Sequence, residues 1–308
     1  MKKLLIVVAI LLGVLIVIPA IAGLFSRDRI EIPASFKGSY IEVHGEKIRC
    51  LQAGNGPDLL LIHGLPGSIE DWESVMGPLS ARYRITAYDR PGHGFSGAEK
   101  TRYTIRDNAR FARGVIEKMG LKNVIAVGHS YGGGIVLALA ALDPEGIRGV
   151  ISIAGVSRPL GQVDPFFYVN IIPVLGRGLA AIGAALLAGD MVEEGVKDAF
   201  KPNETLITKQ YMETRKIIFT QTKVIVTTSH EDVGCDPDLA ELGNSYGKIA
   251  IPVRIIHGEA DAIVPFKDSA WLEKEVKTAK LVPVKNTGHM VQYAHPETII
   301  AAVEELNR

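Results

Sequence analysis

The pentapeptide Gly128-His129-Ser130-Tyr131-Gly132 restricts the fold more than any other feature of the chain. It directly follows the apolar run Asn123–Val127 and comes just before Ile135–Leu142, a stretch that is apolar all round. A serine between two glycines at a strand-to-helix junction predicts a sharp, strained turn, since flanking residues there must lack a Cβ that would clash. Such a turn lifts the serine hydroxyl above the edge of a sheet and beside the positive end of the following helix. In the bland alternative, a glycine-rich turn lets Ser130 cap the helix and nothing more. The strand before and the helix after favour an exposed nucleophile.

From Tyr40 onward, short β runs alternate with helical patterns, as in a mostly parallel sheet wrapped by helices. Tyr40–Val43 and Lys47–Gln52 flank His44-Gly45-Glu46 and predict an antiparallel opening hairpin. Asp58–Ile62, Tyr83–Tyr88, Asn123–Val127, Val150–Ile153, Val253–Ile256 and Leu281–Val284 complete an eight-stranded sheet. Several of these are unbroken Leu, Ile and Val, which suits strands covered on both faces. Pro283 predicts that the last strand is an edge. Ser68–Arg82, Thr104–Met119, Ile135–Leu142, Phe266–Thr278 and Pro296–Leu306 read as the covering helices.

On these motifs the chain resembles the α/β-hydrolase family, from about Tyr40 to the C-terminus apart from most of the segment between Gly155 and Val253. The resemblance implies a chain order of nucleophile, acid, then histidine. Ser130 is then the nucleophile. The loop His257-Gly258-Glu259-Ala260-Asp261-Ala262-Ile263-Val264-Pro265 is similar to the one that holds the family's acid, which points to Asp261, with Glu259 as rival. Asn286-Thr287-Gly288-His289-Met290 after the last strand makes His289 the general base. The His63-Gly64-Leu65-Pro66-Gly67 motif implies a backbone oxyanion hole built from the amides of Leu65 and Tyr131, because Pro66 has no N–H. Asp89-Arg90-Pro91-Gly92-His93-Gly94-Phe95-Ser96 reads as a structural turn. His63 and His257 also read as structural, and His129 is expected to point away from the site.

The roughly 90 residues between Gly155 and Val253 exceed ordinary connections. They carry Phe166-Phe167-Tyr168, the apolar stretch Leu179–Ala188, and the charged helical pieces Met191–Phe200 and Ile207–Ile218. They predict a helical cap, with apolar residues between Phe166 and Leu187 shared between cap packing and a substrate pocket. The resulting division is a membrane anchor or signal segment over 1–25, hydrolase core over 26–155 and 246–308, and cap over 156–245.

Leu4–Phe25 contains no charged residue. As a helix these residues extend about 33 Å, enough to cross the hydrocarbon core. A retained transmembrane helix is expected, with the catalytic domain outside the cytoplasm. Ala20-Ile21-Ala22 also fits a signal-cleavage site, which would give a secreted protein. The charge balance, 34 basic against 34 acidic side chains, argues against a nucleic-acid partner. Cys50 and Cys235 form no C-x-x-C pair, and no histidines show H-E-x-x-H spacing, so neither a metal nor a cofactor is expected. Cys50 reads as a small core residue, although export would permit a disulfide.

The function these features imply is a serine hydrolase acting on small apolar carboxylic esters. The same three residues also serve carbon–carbon hydrolysis or perhydrolysis, and a scaffold of this kind can be kept as a non-catalytic binding protein. Haloalkane dehalogenase and epoxide hydrolase chemistry is disfavoured, because those enzymes carry an aspartate where this chain has Ser130.

Overall fold

The computed structural model describes residues 2–26 and 31–308, with the side chains of residues 2, 4–12 and 15 outside that description. Its strands are β1 (Ser39–Val43), β2 (Glu46–Ala53), β3 (Asp58–Ile62), β4 (Arg84–Tyr88), β5 (Val124–His129), β6 (Ile147–Ile153), β7 (Val253–Gly258) and β8 (Ala279–Val284). They form one sheet in the order β1-β2-β4-β3-β5-β6-β7-β8. β2 runs antiparallel to β1 and β4; all other pairs are parallel. β3 and β5 are buried along their whole length, as the apolar runs Leu59–Ile62 and Val124–Val127 require. β8 is an edge strand, where Pro283 leaves no interior ladder bond unmade.

The helices are α1 (Lys2–Phe25), α2 (Glu73–Ser80), α3 (Ile105–Lys118), α4 (Tyr131–Leu142), α5 (Pro165–Asn170) and α6 (Gly176–Leu186). After them come α7 (Ala188–Phe200), α8 (Lys209–Phe219), α9 (Thr222–Gly243), α10 (Phe266–Glu275), α11 (Val291–Ala294) and α12 (Pro296–Leu306). The two-residue period of the strands sorts their side chains into two cores. Leu60 and Ile62 of β3 pack with Val115 of α3 and Ile135 of α4 on one face. Leu59 and Leu61 pack with Trp72, with Val75 of α2 and with Ile299 and Val303 of α12 on the other. Cys50 and Cys235 are both buried free thiols.

The strand order reverses between β3 and β5. β4 lies on one side of β3, and the later strands lie on the other. In open α/β sheets the crevice beyond the carboxyl ends at such a reversal is where ligands bind. The residues emerging there are His63–Leu65 after β3 and Ser130 after β5. Helices α5–α9, between β6 and β7, lie above this edge. The charged pieces of the insertion form α7 and α8, but the 22-residue α9 has no counterpart in the sequence reading.

The transmembrane expectation finds no support among the described residues. Among the described residues no helix is long and apolar enough to cross a membrane. The backbone of α1 is helical, but most side chains in its first half lie outside the described residues. In its second half Pro19 is buried, with its carbonyl packed against Gly178 of α6, so this part of the helix docks onto protein.

Candidate active site

Ser130 occupies the turn between β5 and α4 with φ 57° and ψ −120°, a left-handed conformation that an L-residue adopts only under strain. Its glycine neighbours are required by contact. A Cβ at Gly128 would collide with the Gly132 carbonyl, and one at Gly132 would collide with the Ile62 carbonyl. The turn raises the Ser130 side chain into a cavity of about 320 Å³ that also exposes Leu65, His129 and His289.

His289 Nδ1 lies 2.7 Å from Asp261 Oδ2. Because a carboxylate oxygen only accepts, Nδ1 carries the proton and Nε2 is left free to accept one. The other oxygen, Oδ1, accepts the Ile263 and Val264 amides at 2.8 and 3.0 Å. Burial alone would raise the Asp261 carboxyl. The positive potential of His289 and hydrogen bonds from His257 and His289 outweigh it and hold Asp261 well below the usual carboxylate range. Among the sequence candidates, then, Asp261 is the carboxylate that meets His289. Glu259 makes no such contact among the described residues.

Two further histidines lie at the site: His257, which the sequence reads as structural, and His129, which it expects to point away. His257 Nε2 sits 3.0 Å from Asp261 Oδ2 and 3.0 Å from the Val264 carbonyl, while Nδ1 lies 2.6 Å from Ser269 Oγ. Both neighbours of Nε2 are acceptors, so Nε2 donates and Nδ1 accepts from Ser269. His257 therefore touches Asp261 directly. His129 does not point away: it lines the cavity, and its Nε2 donates to the His289 carbonyl at 3.0 Å. Burial, reinforced by the neighbouring His289, lowers His129 to about 3 and keeps it neutral.

The Leu65 amide belongs to the loop after β3. A Cβ at Gly64 would come within 3.0 Å of Ser130 Cβ, so this loop lies against the serine. The Tyr131 amide opens α4 and is among the first-turn N–H groups that a helix leaves without an internal acceptor.

The rest of the cavity is apolar, and the cap supplies most of it through Phe166, Phe167, Met191, Val192, Phe219 and Ile225. Only Phe166 and Phe167 come from the stretch that the sequence assigned to this role. Tyr168 of α5, Ile172 and Val174 in the connection to α6, and Leu186 and Leu187 at the end of α6 are exposed instead. The polar exceptions are Asp71, Thr228 and the phenol of Tyr211. Asp71 pairs with the buried Arg215 of α8 at 3.0 Å, and burial pushes its carboxyl up to about 6. Thr228 Oγ1 is buried and has no partner among the described residues.

The family model described as alpha/beta hydrolase fold matches residues 57–296. The magnesium-chelatase 30 kDa subunit of Rhodobacter capsulatus is 29% identical over 243 residues, covering 77% of this chain and 82% of that protein. The enol-lactonase of Burkholderia xenovorans LB400 superposes with a TM-score of 0.72 at 19% identity, over 87% of this chain and 99% of its own. A bacterial membrane phospholipase A superposes with a TM-score of 0.68 at 20% identity, over 100% of both chains. At these identities the two structures attest the fold alone.

Proposed function

We propose, from the premise that this chain belongs to the α/β-hydrolase family, that it is a serine hydrolase cleaving apolar, medium-chain carboxylic esters through an acyl-enzyme. The observation that carries the reading is the 2.7 Å bond from His289 to Asp261, beside a cavity that His289 shares with the strained Ser130. His289 Nε2 takes the Ser130 hydroxyl proton as Oγ attacks the ester carbonyl. The amides of Leu65 and Tyr131 bind the oxyanion, and Asp261 stabilises the imidazolium that forms. The proton passes from His289 to the departing alcohol, and water then attacks the acyl-enzyme by the same route in reverse.

The mainly apolar wall of a cavity of about 320 Å³ supports an uncharged acyl or alcohol group, and the volume lies in the range of small-molecule sites. The apolar run Leu4–Phe25 supports membrane anchoring; the catalytic domain would then lie outside the cytoplasm, and the cavity lining from α5–α9 supports residues 156–245 as its cap. The test is labelling with a fluorophosphonate, which forms a covalent adduct with an activated serine. Wild-type protein should label. Ser130→Ala should not, and its ester turnover should fall by several orders of magnitude. Full labelling of the alanine variant would remove Ser130 from the reading.

A further inference from the structure

We propose that Glu231, on cap helix α9, is a positioning residue for the oxyanion hole and acts through Arg90 on the Gly64–Leu65 peptide. The inference rests on the serine-hydrolase reading above. A trans peptide is planar, and its C=O and N–H point in opposite directions. Whatever fixes the Gly64 carbonyl therefore aims the Leu65 N–H.

Two donors fix that carbonyl. Arg90 Nη2 and His63 Nδ1 each lie 2.9 Å from it. His63 Nε2 accepts the Arg90 backbone N–H at 2.9 Å, which places the imidazole proton on Nδ1 and makes it the donor. The Arg90 guanidinium also stacks over the Tyr131 ring, 4.8 Å from its centroid. One side chain thus touches the Gly64–Leu65 peptide through its carbonyl and the ring of Tyr131, whose amide is the second oxyanion donor.

Arg90 is fully buried, so its place depends on its counter-ion. That counter-ion is Glu231, whose two oxygens lie 2.9 and 2.8 Å from Arg90 Nη1. Asn108 Nδ2 and His93 Nε2 hold the same carboxylate at 3.0 and 2.9 Å. Burial, with Arg90 beside it, lowers His93 to about 4, so it is the neutral ring that donates. Glu231 is also the only member of this cluster that belongs to the cap. Seating of α9 on the core and the aim of the Leu65 amide are therefore one event.

The test compares wild type, Glu231→Gln and a control, Glu241→Gln, which removes an exposed partner of Arg106 from the same helix. Active sites are counted with fluorophosphonate. Then kcat, KM and inhibition by an aryl trifluoromethyl ketone, whose adduct carries an oxyanion, are measured. Glu231→Gln should lower kcat by about tenfold to a hundredfold, less than outright loss of a donor. KM should stay within about twofold, and ketone binding should weaken by the same factor as kcat. Glu241→Gln should match wild type. A folded, fully titratable Glu231→Gln with unchanged kcat and ketone binding overturns the proposal, as does a rise in KM alone. If Glu231→Gln does not fold, Arg90→Lys and Glu231→Asp are read by the same criteria. Wild type that takes no label overturns the hydrolase reading and this inference together; a labelled wild type beside an unaltered variant overturns this inference alone.

Discussion

His257 and His289 converge on one oxygen: their Nε2 and Nδ1 atoms lie 3.0 and 2.7 Å from Asp261 Oδ2. His257 is fixed in turn by Ser269 and the Val264 carbonyl, so Asp261 is held by a second anchored ring besides His289. Asp261→Asn should leave the fold intact but favour the wrong imidazole tautomer of His289, costing on the order of 10⁴ in kcat. Glu259→Gln should be close to wild type. The reverse pattern would reassign the acid. Because the Asp261 carboxyl is held below its unfolded value, its contribution to stability is present above about pH 4 and lost only as pH falls through the lower native value. The stability gap between wild type and Asp261→Asn should therefore shrink once pH falls below about 4, as thermal unfolding in acid would register.

Asp71 titrates with the opposite sign. Burial lifts its carboxyl to about 6, against the pull of Arg215 at 3.0 Å. A carboxyl with a native value above its unfolded one binds its proton more tightly when folded. Its contribution is full below about pH 4 and is lost as pH rises through about 6, a change of about 3 kcal/mol. Asn cannot titrate, so the unfolding free energy of wild type relative to Asp71→Asn should fall between pH 4 and 7. A difference independent of pH would show that Asp71 stays ionised throughout.

Ser130 was legible because a strained turn between glycines limits the choice of residue there. Asp261 and His289 are picked out instead by the likeness of their loops to those of the α/β-hydrolase family, and the structure brings these two side chains together. The serine needs glycines around a strained turn, and Asp261 and His289 occupy loops that directly follow β7 and β8. The core strands were legible from unbroken Leu, Ile and Val runs. α9 was not, because Val224-Ile225-Val226-Thr227-Thr228 is β-branched and Pro237 lies inside the helix, both adverse to helical propensity. Arg90 read as part of a turn because its partner Glu231 lies 141 residues away and on that unread helix. His257 was taken as structural for a similar reason, since nothing in a strand-end His-Gly pair says which carboxylate its ring will meet.

Membrane anchoring through Leu4–Phe25 predicts that full-length protein fractionates with membranes and resists high-salt extraction. A chain beginning at Ser26 should be released yet remain active. Loss of activity on release would mean that the docking of Pro19 on Gly178 supports the cap itself. A mature N-terminus at Gly23, found by mass spectrometry, would establish a cleaved signal segment in place of an anchor.

Selectivity should follow the cavity wall. Phe166 comes from α5, Met191 and Val196 from α7, Phe219 from α8 and Ile225 from α9, so the acyl or alcohol group meets apolar side chains on several sides. Each methylene buried there contributes about 0.8 kcal/mol, or roughly fourfold in kcat/KM while space remains. A series of chromogenic esters from acetate to octanoate should therefore climb by one to two orders of magnitude and then level off, where the cavity of about 320 Å³ is filled. Charged acyl groups should be poor substrates, since the wall would desolvate them without a partner. Val196→Phe, which adds bulk to the wall, should move the plateau to shorter chains and leave acetate turnover nearly unchanged. A flat profile, or a Val196→Phe profile identical to wild type, would mean that the chain does not bind in this cavity.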